Sequence, residues 1–219
     1  MPSSKDDIVA ALTKSFAAAA AKPAPYPHWF VDHCLPPDVV KDVLALPFPA
    51  PELGGISGKR EVHNATRRYF DADNMQAHPV CNAVNSALQD RHVTAAIEKT
   101  FSTKLKGTFL RVEFAQDTNG FWLEPHTDLG VKTFTFLLYL SPDAQHTTLG
   151  TDIYDADKKH VGRSPFKCNS AMIFIPSNNT YHGFEARQID GVRKSLVINF
   201  VTNDWRAREQ LAYPTTPVA

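Results

Sequence analysis

The hydrophobic pattern of the chain changes its period near residue 105. Before that point apolar residues recur every three or four positions, as on one face of an α-helix. Beyond it they alternate with polar residues, as in half-buried β-strands. The sequence therefore predicts a helical first half and a β-rich second half. The predicted helices cover residues 5–21, a short stretch between Pro36 and Pro47, and residues 79–101, and residues 54–58 are predicted as loop.

Six short strands are predicted after residue 105. Each is rich in Phe, Val, Ile, Leu or Thr and is bounded by Gly, Pro, Asn or Asp. Because no helices alternate with them, they favour an antiparallel sandwich or barrel that carries helices on one side. The predicted strands are 107–115, 120–126, 132–140, 151–155, 170–175 and 193–201, followed by a closing helix at 205–211.

The chain is expected to form one domain with extensions. Residues 1–26 would be a helix and a proline-rich linker, and residues 27–104 a helical and strand support region of the same domain. Residues 105–203 would form the β core, and residues 204–219 a closing helix and tail.

Composition excludes several classes of function. The 219 residues carry 23 basic and 23 acidic side chains, so no net field favours nucleic acid or an anionic membrane. No apolar run is long enough to span a bilayer, and Asp6 and Asp7 stand where a signal peptide needs positive charge. We therefore expect a cytoplasmic protein with a small-molecule substrate, and a homodimer stays open. The unclustered Cys34, Cys81 and Cys168 indicate reduced thiols.

Two distant motifs carry candidate metal ligands. His126-Thr127-Asp128 ends one predicted strand, and His182 follows a turn before another predicted strand region. Two imidazoles and one carboxylate form the facial triad that holds Fe(II) and leaves coordination positions open for substrate and O₂. A lone His-x-Asp is weak, but its combination with a later His and an Arg is specific. The alternative, surface or hydrogen-bonded core histidines, is disfavoured by the whole set.

The last predicted strand carries a candidate carboxylate-binding pair. Alternation places Arg193 and Ser195 on the same face, where a guanidinium and a hydroxyl can bind a carboxylate of a co-substrate. On strand 132–140, Tyr139 shares a face with Thr135, which should line a cavity, while the all-apolar face should pack on the helices. A surface ion pair is the alternative for Arg193.

With these motifs, Pro27-His28-Trp29-Phe30-Val31-Asp32 and Leu35-Pro36-Pro37 make the chain resemble the 2-oxoglutarate- and Fe(II)-dependent oxygenases. The resemblance is to the prolyl-4-hydroxylase-like branch and covers about residues 27–202. It implies a mainly β fold of the α+β kind: a double-stranded β-helix (jelly roll, cupin-like) with N-terminal helices packed on one sheet.

The same resemblance implies cofactors and roles. Fe(II) would be bound by His126, Asp128 and His182, with 2-oxoglutarate and O₂ as co-substrates. Arg193 would bind the far carboxylate of 2-oxoglutarate, assisted by Ser195 and Tyr139. An aspartate at position 128 favours hydroxylation over halogenation, because related halogenases vacate that position for halide.

The chain also departs from the family pattern at three places. The usual Gly-Gly-Glu-Leu reads Gly150-Thr151-Asp152-Ile153, and a Tyr common on the strand before the His-x-Asp motif corresponds to Phe114. The segment between His182 and Arg193 is longer than usual.

The substrate is expected to be small, polar and amino-acid-like. Arg67 or Arg68 could bind an anionic group, while Trp122 and Glu124, on the face of His126, could supply an apolar wall and an amine partner. Two alternatives stay open. One is a peptidyl (prolyl-type) hydroxylase, and the other is a non-catalytic, metal-retaining jelly-roll binding or sensing protein. Arg193 disfavours the second, since a pure metal binder has no use for a co-substrate clamp.

Overall fold

The computed structural model describes residues 3–52, 58, 67–128 and 130–219, and these form two antiparallel sheets covered on one side by helices. The major sheet has the strand order β1-β2-β9-β6-β11-β4-β3, and the minor sheet has the order β5-β10-β7-β8. The strands are β1 Ala20–Lys22, β2 His28–Asp32, β3 Arg68–Tyr69, β4 Phe109–Asp117, β5 Leu123–His126, β6 Lys132–Tyr139, β7 Asp152–Tyr154, β8 His160–Arg163, β9 Ser170–Phe174, β10 His182–Phe184 and β11 Arg193–Val201.

The helices pack on the outer face of the major sheet. The first helix begins at a capping box in which Ser4 and Asp7 satisfy each other's backbone N–H groups, and it buries Ile8, Leu12 and Phe16. The ring of Phe16 meets that of Phe136 on β6 edge to face, with ring centroids 5.7 Å apart. The helices are α1 Lys5–Ala17, α2 Pro37–Leu44, α3 Ala72–Ala77, α4 Pro79–Leu88 and α5 Arg91–Phe101.

The two faces of the major sheet are separated as strand alternation predicts. Phe134, Phe136 and Leu138 of β6 belong to the core shared with the helices. Tyr139 of the same strand belongs to a second core between the sheets, which also contains Met172 and Phe174. The predicted mainly β fold with helices on one sheet is thus confirmed.

Several element boundaries differ from the prediction. The helix predicted at 79–101 is two helices, because the side chain of Asp90 accepts from the N–H of His92 and caps a new one. The first helix ends at Ala17, and β1 then adds to the edge of β2. Strand β10 begins at His182, as expected, whereas β8 was not predicted, and the helix expected at 205–211 is one 3-10 turn at Arg208–Gln210. The loop predicted at 54–58 lies, except for Gly58, outside the described residues.

In the described part of the chain, no helix has both the length and the apolar character needed to cross a membrane.

Candidate active site

Three potential metal ligands converge where the two sheets face each other. His126 ends β5 and His182 begins β10, and the two residues are direct cross-strand partners with ring centroids 4.4 Å apart. Asp128 lies two residues after His126 in the chain. One ligand atom from each of the three side chains lies within 4.8 Å of those of the other two. The predicted triad is therefore assembled by the pairing of two short strands.

Each imidazole is oriented by a backbone carbonyl. His126 Nδ1 lies 2.8 Å from the Glu124 carbonyl oxygen, and His182 Nδ1 lies 3.0 Å from that of Thr180. A carbonyl can only accept, so Nδ1 carries the proton and Nε2 keeps its lone pair. Burial, with help from neighbouring His126, lowers the pKa of His182 to about 3, so this imidazole is neutral at physiological pH. Neutral imidazole is the form that coordinates metals.

The carboxylate of Asp128 is held on both oxygens. Lys132 Nζ lies 2.5 Å from Oδ1, and Thr135 Oγ1 donates to Oδ2 over 2.6 Å. Burial alone would raise the pKa of Asp128, but the Lys132 ammonium, the nearby His182 and these hydrogen bonds hold it well below its ordinary value. Asp128 is therefore ionised and fixed in direction before any metal arrives.

A buried polar chain connects this carboxylate to the adjacent strands. Asn199 donates from Nδ2 to Thr135 Oγ1 over 3.0 Å and accepts from Arg111 Nη1 over 3.1 Å. Arg111 also donates to Glu113 over 2.9 Å. Since Asn199, Arg111 and Glu113 are 0%, 2% and 1% exposed, water cannot substitute for these contacts. The network fixes Thr135, and through it Asp128.

The ligands open into a cavity of about 330 Å³ between the sheets. Arg193, Ser195 and Tyr139 line this same cavity, and Ser195 is the cross-strand partner of Tyr139. The Tyr139 hydroxyl lies 2.8 Å from Thr151 Oγ1 and 2.6 Å from Ser164 Oγ, so the residue just before β7 and the residue just after β8 hold it in place. The structure thus brings together every residue that the sequence proposed for metal and co-substrate.

The guanidinium of Arg193 is buried and partly paired. Its Nε donates to the Leu149 carbonyl oxygen over 2.7 Å, and its Nη1 lies 2.5 Å from Asp117 Oδ2. The rings of Phe184 and Phe166 lie 4.8 and 5.4 Å from its central carbon. The cation is therefore held rigidly at the cavity wall.

The β4 side of the cavity is charged and aromatic. Arg67 Nε lies 3.3 Å from Glu113 Oε1, and both side chains line the cavity. Trp205 and Gln210, from the segment after β11, close the same side, where Arg111 lies 5.1 Å from the Trp205 ring centre and bonds Gln210. Sequence reasoning missed the roles of Trp205 and Gln210, because nothing in their local pattern points across the sheet.

Of the other proposed substrate residues, one lines the cavity and two do not. Glu124 lines the cavity with His126, as alternation predicts, whereas Trp122 packs against Gly58 and is not part of the lining. Arg68 lies in β3 opposite Phe114 and is not part of the lining either. Phe114, which stands where a Tyr is common in the resembling family, packs in the helix-side core and is not part of the lining.

Asp152, in the stretch Gly150-Thr151-Asp152-Ile153, anchors the long segment that leads to Arg193. Its carboxylate is 0% exposed, pairs with Arg187 and with Arg163, and accepts from the Glu185 N–H. Arg187 also stacks on Phe184, with its central carbon 4.1 Å from the ring centre. The segment after His182 is therefore tied to β7 and β8.

Gly183 lets the two ligand strands approach closely. A Cβ at this position would lie 2.7 Å from the Leu123 carbonyl oxygen and 3.0 Å from that of Glu124, the carbonyl that orients His126. Since both obstacles are backbone atoms, Gly183→Ala must push β5 away from β10. We expect a loss of stability of about 1–3 kcal/mol and weaker metal binding, although no ligand is removed.

The matched control is Gly162→Ala on β8 of the same sheet, where a Cβ would meet nothing within 4 Å. Thermal unfolding and Mn²⁺ titration of both variants measure the effect. Equal metal affinity in the two variants would show that the strand approach does not set the ligand geometry.

Solved structures share this fold. No protein-family model and no curated protein sequence matches the chain. A prolyl-4-hydroxylase from Pseudomonas putida superposes with a TM-score of 0.57 at 16% identity, covering 89% of this chain and 98% of that one. An oxidoreductase of the 2OG-Fe(II) oxygenase family from Burkholderia pseudomallei gives 0.56 at 14% identity, covering 91% and 90%.

A third structure contains a bound peptide. It is a prolyl hydroxylase from Trichoplax adhaerens in complex with a hypoxia inducible factor fragment, and it gives a TM-score of 0.58 at 13% identity, covering 93% of this chain and 91% of that one. The likeness to these structures is one of fold. The double-stranded β-helix suggested by the sequence resemblance is confirmed, and the chain has the architecture found in prolyl-4-hydroxylases and related oxygenases.

Proposed function

We propose that the protein is an Fe(II)- and 2-oxoglutarate-dependent oxygenase that hydroxylates an unactivated C–H bond. The observation that carries this proposal is the presence of two imidazoles, one carboxylate and a buried arginine around one cavity. The donor set fits Fe(II), because neutral nitrogen and anionic oxygen donors on one side leave the other positions open. When bound, the iron with 2-oxoglutarate and O₂ would supply the oxidation, with conversion of the keto acid to succinate and CO₂.

The protein's own groups have distinct tasks in this proposal. His126 and His182 present Nε2 because backbone carbonyls hold their Nδ1 protons. Asp128 supplies the negative charge, and Thr135 fixes the direction of its carboxylate. His182 is buried, and His126 and Asp128 are half-buried where they face the cavity.

The co-substrate is placed by β11 and β6. Arg193 would bind the far carboxylate through charge-assisted hydrogen bonds, and Ser195 would add a hydroxyl from the same face. Tyr139 is held by Thr151 and Ser164, so its ring and hydroxyl would limit the length of the keto acid.

For the substrate we propose a small, polar, amino-acid-like molecule. The cavity of about 330 Å³ must hold the keto acid and the reacting part of the substrate, which favours a small molecule. The close pair of Arg67 and Glu113 on its wall offers a cation and an anion to a zwitterion. Trp205 adds an aromatic surface beside them.

A peptidyl-prolyl substrate is the second candidate. The observation in its favour is the fold shared with prolyl hydroxylases, one of them in complex with a peptide fragment. A peptide would insert one side chain toward the ligands and leave the rest of its length outside the cavity.

One assay separates these possibilities. The Fe(II)-loaded protein is incubated with 2-oxoglutarate and O₂, against a panel of amino acids and related zwitterions and a panel of proline-containing peptides. Succinate is quantified, and the panels are analysed for a mass gain of one oxygen atom. A product among the zwitterions supports the first candidate and one among the peptides the second. Tight metal binding without succinate in any mixture would instead indicate the non-catalytic metal-binding alternative.

Arg67 and Arg68 provide a matched test of the substrate wall. Arg67 lines the cavity beside Glu113, whereas its neighbour Arg68 does not line it. We expect Arg67→Ala to raise the KM for the true substrate at least about tenfold, because a charge-assisted hydrogen bond contributes roughly 1.5–3 kcal/mol. Arg68→Ala should leave that KM within about twofold, and the KM for 2-oxoglutarate should not change in either variant. Equal substrate kinetics in the two variants would remove Arg67 from the site.

A further inference from the structure

Asp117 faces Arg193 across two adjacent strands. The register of β4 and β11 makes the two residues direct partners, and Arg193 Nη1 lies 2.5 Å from Asp117 Oδ2. The side chains are 6% and 5% exposed, so this ion pair is almost completely removed from water. Its geometry is set by the sheet register and not by a flexible surface contact.

The pair leaves only part of the guanidinium for a ligand. Nε donates to Leu149 and Nη1 to Asp117, while none of the described residues accepts a hydrogen bond from Nη2. Arg193 lines the cavity, so a carboxylate entering there would meet the Nη2 side. It would then share one guanidinium with Asp117, and two carboxylates on neighbouring nitrogens repel each other.

We infer that Asp117 determines how strongly this site selects a keto acid with a charged tail. The inference rests on the proposed function, because it takes Arg193 as the clamp for the far end of the keto acid. Asp117 holds Arg193 in place before the co-substrate arrives. It also weakens the preference of the clamp for a second carboxylate over an uncharged tail. The site is therefore more permissive toward 2-keto acids with apolar tails than an arginine without an acidic partner would be.

The burial of the Asp117–Arg193 pair predicts that removal of the Asp117 charge strengthens the binding of 2-oxoglutarate. Removing the charge of Asp117 leaves the Arg193 cation buried without this partner, which destabilises the unliganded protein. A carboxylate that binds Arg193 would restore a negative partner for that cation. The variant is destabilised mainly in its unliganded state, so its affinity for the carboxylate should rise. Asp117→Asn keeps the size of the side chain and an oxygen that can accept from Nη1. The negative charge is removed, and the second carboxylate oxygen becomes an amide NH₂ donor.

The experiment measures the ratio of two dissociation constants. Protein loaded with Mn²⁺ is titrated calorimetrically, without O₂, with 2-oxoglutarate and with 2-oxovalerate. The two share the same keto-acid head and differ in the charge of the tail. In Asp117→Asn we expect 2-oxoglutarate to bind at least about tenfold tighter than in the unmodified protein, and 2-oxovalerate to change by less than about twofold. The unliganded variant should have a lower Tm, and 2-oxoglutarate should raise it by more than in the unmodified protein.

Two further variants keep the test decisive. Asp190→Asn removes an equal charge from an exposed position three residues before Arg193 and should leave the ratio unchanged. If Asp117→Asn does not fold, the double variant Asp117→Asn with Arg193→Gln removes both buried charges and should bind the two keto acids with similar affinity. An unchanged ratio, or weaker 2-oxoglutarate binding, in folded Asp117→Asn overturns the inference, and so does a double variant that still prefers 2-oxoglutarate. Absence of keto-acid binding in every protein, the unmodified one included, removes the proposed function and this inference together.

Discussion

Replacement of His182 by alanine is expected to abolish metal binding at physiological concentrations and all 2-oxoglutarate turnover. The imidazole is one of three ligands, and the remaining two, His126 and Asp128, do not define a facial set. Loss even of a group that only orients a ligand commonly costs 10–100-fold in metal affinity, so loss of the ligand itself should exceed about 100-fold. Anaerobic calorimetry with Mn²⁺ or Fe²⁺ measures the affinity, and succinate formation measures turnover.

The control for this variant is His92→Ala. His92 is exposed on α5, outside the cavity, so its removal should change neither metal affinity nor succinate formation. Circular dichroism establishes that both variants are folded. Iron affinity in His182→Ala equal to that of the control would exclude His182 as a ligand and with it the triad.

Loss of the Arg193 guanidinium is expected to raise the 2-oxoglutarate concentration needed for half-maximal turnover at least about tenfold while metal still binds. The reason is the loss of charge-assisted hydrogen bonds to the far carboxylate, which contribute roughly 1.5–3 kcal/mol. Arg193 lies on β11 and has no contact with the three ligands among its hydrogen bonds, so Mn²⁺ affinity should stay within about twofold. Titration of succinate formation against 2-oxoglutarate measures the first effect, and calorimetry the second.

Arg193→Ala also removes the buried cation that pairs with Asp117, and this loss lowers stability by itself. The comparison of Arg193→Ala with the double variant Arg193→Gln and Asp117→Asn separates the two effects, because the double variant removes the buried charge. Both should need more 2-oxoglutarate than the unmodified protein. A normal 2-oxoglutarate titration in a folded, metal-loaded Arg193→Ala would contradict the role of the clamp.

The faces of the strands could be predicted from the sequence, since side chains of a strand alternate strictly. That rule placed Tyr139 and Thr135 toward the cavity and Phe134 and Phe136 toward the helices, as the structure has them. It also placed Arg193 and Ser195 together. The triad could be predicted from the types of its residues and their order along the chain: a His-x-Asp motif followed by a later His and an Arg.

Contacts that depend on which strands are neighbours could not be predicted. Asp117 meets Arg193 only because β4 pairs with β11 in one register, and a shift by one residue would turn it to the other face. Lys132 reaches Asp128 from the beginning of β6, where the pairing with β11 is irregular, so alternation does not describe its direction. The division of the helix predicted at 79–101 was missed because its hydrophobic spacing continues across the capping residue Asp90.

The three ligands also lie where the two sheets meet. His126 and His182 belong to the minor sheet, whereas Asp128 is bonded to Thr135 of the major sheet. A bound ion would therefore link the minor sheet to the major sheet. Amide hydrogen exchange should slow at β5 and β10 when the metal is added and stay nearly constant in α1 and α5, which pack on the outer face of the major sheet. Metal occupancy of the site could then be measured from the exchange rates of the strand amides, before the substrate is known.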